Sequence, residues 1–581
     1  MASQTAKPLF DSEVAPARGI VQVLEDAGID AVFGMPGGMT GRIFDALYDY
    51  QSSIRTVLVR EEARAGVMAE IYGRLTGRPG VAIGQAAFLV HASMGAIEGH
   101  MASTPMLLLT DLSDNAPYSQ HAPYQSGTGD YGTWDARQAF GAFCKATFVA
   151  TTPEQAVHDT QLAIKHAVSG EPGPVAVLYH SRALSGRVGP ESRPALYETA
   201  SFVARHAPPA EVSEVAAAAR LLVEAERPAV IAGNGVRLSD ACAELAELAH
   251  ALGAPVASSA GGKGVFDETS DWALGVYGNF GTPLANARIG EADAVLAVGT
   301  KLAATDTAFE NAALLDPTRQ TLIQIEIEPR NAAWTHPVSP RLIGDARRVL
   351  GQLLEAVAGL GAPSDETVER RRRELWDARL KHGFFDAPES RSDAAPLLPQ
   401  RVIRELHDGL PRDAMLFCDA GENRLFMTHY YQTRAAGHFL QPAGVGGMGY
   451  AIPGALASRV VHPERPAVAV CGDGGFAIGM NGLMTALEED LPILVVVLNN
   501  GALGWVKHGQ GERSIACDFR DFDHAAIARS IGCDGFRVER AEDLPPALEK
   551  ALAGGRPAVI DVHTSLSETF QKVTSPLAVQ R

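Results

Sequence analysis

The chain reads as an α/β protein of three domains with parallel sheets flanked by helices. Three observations predict this. Helical and strand patterns alternate along the chain, and strands joined by helical crossovers pair in parallel with both faces covered. The strand candidates are short, nearly continuous apolar runs such as Ala467-Val468-Ala469-Val470, which suits strands buried on both faces. At 581 residues, 46% of them hydrophobic and 20% charged, the chain has core enough for roughly three or four ordinary domains.

The first block, about 14–189, opens with an amphipathic helix over 19–27, a strand at 31–33 and a helix over 43–50. Strands follow at 56–59, 81–83 and 106–109, with helices between them. A stretch bearing proline and arginine, 187–209, reads as a linker. The second block, about 210–354, begins with a helix over 211–225 and a strand at 229–231. Gly233-Asn234-Gly235 then turns into a helix over 239–252, a β-turn-α unit like those of dinucleotide-binding domains. The third glycine of that fingerprint is missing, so a structural turn is the simpler reading. A charged helix over 366–381 carries Arg370-Arg371-Arg372-Arg373, read as a solvated face, and leads through a polar connection at 388–399. The third block spans about 400–566, and no short repeat is visible.

The formal charge of −18 argues against nucleic acid or an anionic membrane as partner. Six cysteines (Cys144, Cys242, Cys418, Cys471, Cys517, Cys533) lack CxxC spacing, so neither a zinc site nor a disulfide framework is indicated. The first residues, Met1-Ala2-Ser3-Gln4-Thr5-Ala6-Lys7-Pro8, lack the apolar region of a signal peptide, and no apolar stretch approaches the ~18 residues of a membrane span. A cytoplasmic protein is expected.

Chemistry concentrates in the third block. Cys471-Gly472-Asp473-Gly474-Gly475-Phe476 follows one apolar run, and Asn499-Asn500 follows another, Leu491 to Leu498. Asp473 and Asn500 are 27 residues apart, and a crossover helix between parallel strands would bring both to the carboxyl edge of one sheet. A carboxylate with an amide suits magnesium that keeps phosphate oxygens in its shell, and Gly474 and Gly475 let backbone N–H groups approach a diphosphate. The arrangement resembles the thiamine diphosphate-binding motif, which reads GDG, then roughly two dozen residues, then NN. That cofactor also needs a group that gives its pyrimidine nitrogen a proton, and a buried glutamic acid is the simple donor. Arg60-Glu61-Glu62 lies at a strand-to-helix junction before a helix over 63–75. Spacing does not choose between Glu61 and Glu62, and either carboxylate could instead simply favour the helix N-terminus.

Nearly the whole chain, from Phe33-Gly34-Met35-Pro36-Gly37-Gly38 to Ala558-Val559-Ile560-Asp561-Val562, resembles the thiamine diphosphate enzymes of the acetohydroxyacid synthase (acetolactate synthase) type. The family pattern Arg-His-Glu, then Met, a Gly-Tyr-Ala-Arg-like run and Thr-Gly, is similar to Arg60-Glu61-Glu62 through Met68, Tyr72-Gly73-Arg74 and Thr76-Gly77. The resemblance selects Glu62 as the catalytic acid and implies cofactor contacts at Pro36 and Gly37. It implies further contacts at Gly421, Asn423, Gly447, Gly472, Asp473, Gly474, Gly475 and Asn500. Within Gly444-Val445-Gly446-Gly447-Met448-Gly449-Tyr450, Met448 matches the methionine that supports the bent cofactor, although alone it would read as core. Metal ligands are implied at Asp473, Asn500 and the carbonyl of Ala502. Glu422 stands where the family commonly has glutamine. A carboxylate beside a diphosphate is unfavourable, so Glu422 is expected to turn away or be protonated.

Several departures bear on the substrate. The family's Ser-Gly-Pro-Gly loop is Gln85-Ala86-Ala87-Phe88 here, and its Phe-Gln-Glu segment is Tyr131-Gly132-Thr133. Leu503-Gly504-Trp505-Val506-Lys507-His508-Gly509-Gln510 follows the pattern Leu-Gly-Met-Val-Lys-Gln-Trp-Gln, with Gly509 in place of the acceptor-selecting tryptophan. Gln85, Phe88 and Trp505 are thus candidate pocket residues. Lys301-Leu302-Ala303-Ala304-Thr305 replaces an arginine-rich stretch associated with flavin, which leaves FAD doubtful. His91, His121 and His508 are candidate proton shuttles, against the plainer reading of structural histidines. The resemblance implies a pyrimidine-binding, a central Rossmann-like and a diphosphate-binding domain. It also implies a homodimer or dimer of dimers, a homotetramer, in which Glu62 of one chain faces Asp473 and Asn500 of another. Thiamine diphosphate and Mg2+ are the expected cofactors and small 2-oxo acids the expected substrates, with acetolactate formation leading. The nearest rival is a 2-hydroxyacyl-CoA lyase or oxalyl-CoA decarboxylase-like enzyme. A non-catalytic cofactor-binding protein is the alternative of another class.

Overall fold

The structure, a computed structural model, describes residues 6–114, 124–203 and 207–573. It divides into two compact units, one of Met1–His206 with Leu456–Val461 and Met484–Glu489, the other of Ala207–Ala455, His462–Leu483 and Asp490–Arg581.

The first unit holds strands β1 (Ala31–Gly34), β2 (Arg55–Leu58), β3 (Gly80–Ile83), β4 (Met106–Asp111), β5 (Ala146–Ala150) and β6 (Pro174–Tyr179). They form one parallel sheet in the order β2-β1-β3-β4-β6-β5. Strands β1, β3, β4 and β6 are buried along their whole length, as continuous apolar runs require. The helix Glu62–Thr76 packs so closely on the helix Ser93–Met101 that a Cβ at Gly95 would collide with the backbone of Gly66. The first part of the stretch expected to be a linker packs on this unit, and the boundary between the two units falls near its end. Leu9 donates its N–H to Leu196, Val14 and Val188 form an antiparallel bridge, and Leu196 is buried.

The second unit contains two sheets. Strands β7 (Pro228–Ala232), β8 (Val256–Ser258), β9 (Ala273–Val276), β10 (Ala294–Val298), β11 (Thr321–Glu326) and β12 (Arg341–Ile343) run in the order β12-β11-β10-β7-β8-β9. This is the dinucleotide-fold order, with its reversal between β7 and β10. The helical segment after β7 starts earlier than the pattern predicts, as Asn234–Leu238, and resumes as Cys242–Leu252 after Asp240 takes a positive φ of 50°. A Cβ at Gly233 would overlap the Gly299 carbonyl, and one at Gly235 would stand 2.7 Å from Gly299 Cα. Here the glycines serve backbone-to-backbone packing, in line with the structural reading of this turn.

The arginine run on the helix Asp365–His382 needs correcting at one residue. Arg370 and Arg372 make surface pairs with Glu374 and Glu369, and Arg373 is exposed. Arg371 is buried and donates to the carbonyls of Ala225 (2.5 Å), Glu226 (3.3 Å) and Leu252, at the C-terminal ends of two helices. Those ends leave carbonyls without intrahelical donors, and a guanidinium fork meets several at once.

The last sheet comprises β13 (Met415–Cys418), β14 (Phe439–Leu440), β15 (Ala467–Gly472), β16 (Ile493–Asn499), β17 (Asp534–Val538) and β18 (Ala558–His563), ordered β14-β13-β15-β16-β18-β17. Strand for strand, this repeats the topology of the first unit's sheet. In both, the order reverses between the first and third strands, where open α/β sheets leave a crevice beyond the strands' carboxyl ends. The crossover between β15 and β16 is two short helices, Asp473–Gly479 and Gly482–Glu488, rather than one.

Candidate active site

Register explains how the two distant ligand candidates meet. Gly472 of β15 pairs with Leu498 of β16, so Asp473 and Asn500 leave the same sheet edge. A cavity of about 330 Å3 opens there and extends across the reversal to the end of β13. Gly421, Asn423, Met448, Gly472, Asp473, Gly474, Gly475, Asn500, Ala502 and Trp505 all line it. Gly447 is absent from that lining, although its neighbours Gly446 and Met448 are in it.

Asp473 is buried and accepts the N–H groups of Gly474 (3.0 Å) and Gly501 (2.7 Å), yet burial pushes its carboxyl up to about 6. Asn500 Oδ1 accepts from Ala502 N at 3.1 Å, which folds the loop back on itself. The first asparagine has another task. Asn499 is buried, and its Nδ2 donates to Asp561 Oδ1 at 3.0 Å beneath the loop. Among the described residues no group of three His, Cys, Asp or Glu side chains gathers as a metal site. The donors here are a carboxylate, an amide and a backbone carbonyl, all oxygen, which fits a hard divalent cation shared with phosphate oxygens. The glycine turn fits as well, since a Cβ at Gly475 would lie 3.0 Å from the Asp419 carboxyl carbon and one at Gly474 would lie 3.0 Å from Leu503.

Asp419 lies outside the motifs above, and it organises the cavity wall. It follows the apolar run of β13 as Asp473 follows that of β15, a signal the sequence does contain. Wholly buried, its carboxylate accepts N–H groups from Ala420 (2.9 Å), Gly449 (2.9 Å), Tyr450 (3.1 Å) and Ala451 (3.2 Å). It thereby anchors the turn after Met448 at the start of the helix Ala451–Val461. Met448 is half-buried and faces the cavity, so it is not a core residue. Gly421 sits at φ +105°, where a side chain would be strained, and starts the helix Glu422–Tyr430. Trp505 stacks on Phe570 at 4.6 Å and meets Phe280 edge-on at 5.9 Å. Phe570 lies beyond the third block's expected end at 566, and Arg424, an unexpected cation, lines the cavity with its guanidinium 5.6 Å from the Phe280 ring.

The first unit gathers its own group at the equivalent reversal. Glu62 opens the helix Glu62–Thr76, and its Cγ is 3.3 Å from the position of a Cβ on Gly84, just beyond β3. Glu61 differs: its carboxylate pairs with Arg64 at 3.3 Å. Glu62 is half-buried in the single chain, less enclosed than a buried donor. Gly37, beyond β1, would place a Cβ 3.2 Å from Gln85 Oε1, and Gln85 Nε2 donates to Ser113 (2.9 Å) and Gln125 (2.6 Å). Pro36 adjoins this turn, and Asp111 accepts from Met39 N at 2.5 Å. Phe88 remains 40% exposed. His91 and Tyr131 are exposed, His121 lies outside the described residues, and Lys301 is half-buried in the loop after β10.

Comparison with known proteins finds three matches along the chain. Residues 16–130, 215–353 and 419–562 match the family models described as thiamine pyrophosphate enzyme, N-terminal TPP binding domain, central domain and C-terminal TPP binding domain. The chain is similar to the acetolactate synthase isozyme 3 large subunit of Escherichia coli (strain K12), 31% identical over 95% of each chain. It is 28% identical to the acetolactate synthase large subunit of Corynebacterium glutamicum, over 94% of this chain and 86% of that one. It is also 27% identical to the sulfoacetaldehyde acetyltransferase of Castellaniella defragrans, over 93% and 91%.

Proposed function

We propose a reaction for a chain that belongs to the acetolactate synthase-like thiamine diphosphate enzymes, which form or cleave carbon–carbon bonds with that cofactor. The reaction is decarboxylation of a small 2-oxo acid followed by transfer of the remaining fragment to a second carbonyl compound, with two pyruvates giving acetolactate as the leading case. The observation that carries it is the oxygen-lined cavity at Asp473 and Asn500, in a chain related over nearly its whole length to acetolactate synthases.

When bound, thiamine diphosphate supplies a nucleophilic carbon and an electron sink. Mg2+ would be held by Asp473, Asn500 and the Ala502 carbonyl, with the diphosphate against Gly472, Gly474, Gly475, Gly421 and Asn423. Met448, beside Gly447, would support the cofactor, and Trp505 would form part of the substrate pocket. Glu62 holds a proton for the pyrimidine nitrogen, with Pro36 and Gly37 beside it and Gln85 and Phe88 forming part of the pocket. The three blocks, 14–189, 210–354 and 400–566, correspond to the pyrimidine-binding, central and diphosphate-binding domains of a cytoplasmic homodimer or dimer of dimers. No role is assigned to FAD. The rival hydroxyacyl-CoA or oxalyl-CoA chemistry would use the central sheet for a nucleotide. Purified holoenzyme offered pyruvate, other 2-oxo acids and hydroxyacyl-CoA esters decides between them. Turnover of the CoA esters alone would reject the pyruvate reading.

A further inference from the structure

Glu422 places a buried carboxyl in the wall of the same cavity as the Gly472–Gly475 turn and Asn500. A Cβ at Gly504 would overlap Glu422 Oε2 and stand 3.0 Å from Asn500 Nδ2, so the acid lies close to the proposed metal loop. An uncompensated carboxylate there would repel a diphosphate with little water between them. Glu422 Oε1 is engaged by His508 Nδ1 at 2.6 Å and by Phe570 N–H at 2.9 Å. His508 Nε2 lies 3.0 Å from the Leu566 carbonyl. A carbonyl oxygen only accepts, so Nε2 carries a hydrogen and one further proton is shared between Nδ1 and Glu422. Whichever partner holds that proton, the pair carries no net charge. Both ring nitrogens are thereby occupied, which argues against the proton-shuttle reading of His508.

Both residues also stand where the family patterns described above have glutamine, and they face each other. We infer that His508 is the internal counter-ion of Glu422, a positioning residue that keeps the cavity wall neutral so that an anionic diphosphate can bind beside a glutamate. This rests on the reading that the cavity takes Mg2+ and thiamine diphosphate.

The test is calorimetric titration of the full-length apoprotein with thiamine diphosphate in saturating Mg2+, without any substrate. His508→Gln removes the counter-ion and should weaken binding by about tenfold or more. The double variant Glu422→Gln/His508→Gln, neutral again, should return to within about threefold of the parent. That recovery also excludes misfolding as the cause of the single variant's loss. Parent-like binding by His508→Gln overturns the inference, as does a double variant as weak as the single one. A parent that binds no Mg2+–thiamine diphosphate overturns the functional reading and this inference together, so the two failures are told apart by the parent alone.

Discussion

At Asp473 a carboxylate is buried with only backbone donors around it, and its raised pKa marks a negative charge that a cation would stabilise. Asp473→Ala should therefore abolish Mg2+-dependent retention of thiamine diphosphate, measured as cofactor remaining after gel filtration in Mg2+ buffer. Retention equal to the parent would refute the metal assignment. Glu62 and Glu61, adjacent in sequence, have separated roles: one packs against Gly84, the other pairs with Arg64. Glu62→Gln keeps the shape but cannot supply the proton, so turnover should fall by ~10²–10⁴-fold with the fold intact. Exchange of the cofactor's C2 proton with deuterium reads this step without substrate. Collapse of exchange in Glu61→Gln, with parent-like exchange in Glu62→Gln, would reverse the choice.

At the scale of elements, single side chains hold the ends of helices. Arg371 serves carbonyls at the ends of Val212–Glu224 and Cys242–Leu252, and removing it takes the donor from three carbonyls at once, that of the buried Leu252 among them. Arg371→Ala should cost about 1–3 kcal/mol, whereas the exposed Arg373→Ala should stay within about 0.5 kcal/mol. Urea denaturation of the two variants side by side checks the contrast. Asp419 does the same for the start of Ala451–Val461, and burial pushes its carboxyl up to about 6 from 3.8 despite four backbone donors. Between those values the folded state keeps a proton that the unfolded chain releases, so this residue's contribution to stability falls as pH rises through that window. Asp419→Asn can still accept N–H bonds but does not titrate. The melting temperature of the parent relative to this variant should therefore decline from pH 4 to pH 6, and a constant difference would show that Asp419 keeps an ordinary pKa.

For the whole molecule, a homodimer of the proposed kind would draw Glu62 and Asp473 of each site from different subunits. Neither Glu62→Gln nor Asp473→Ala homo-oligomers should have an intact site. In a mixed dimer one of the two sites regains both natural residues, so co-refolding equal amounts of the two inactive variants should restore about a quarter of parental activity. No recovery, with mixed dimers demonstrated by differential tags, would place both residues in one subunit's site. Among the described residues no helix is long and apolar enough to cross a membrane, and all six cysteines are free.

The sequence alone carried what is local. Asp473 and Asn500 are legible because each ends an apolar run, and alternation with helical segments makes those runs neighbouring parallel strands; the fold class follows from the same periodicity. Tertiary structure alone decided what depends on strand order and register. Glu422 and His508 are 86 residues apart and meet only because the helices Glu422–Tyr430 and Gly504–Gln510 both rise at the carboxyl edge of one sheet. Arg371 looked like one of four solvated charges because an arginine's burial depends on which helix ends lie under it, 119 and 146 residues away. The shared topology of the first and last sheets left no visible repeat, since a strand order is satisfied by any apolar side chains that fill the layer between sheet and helices.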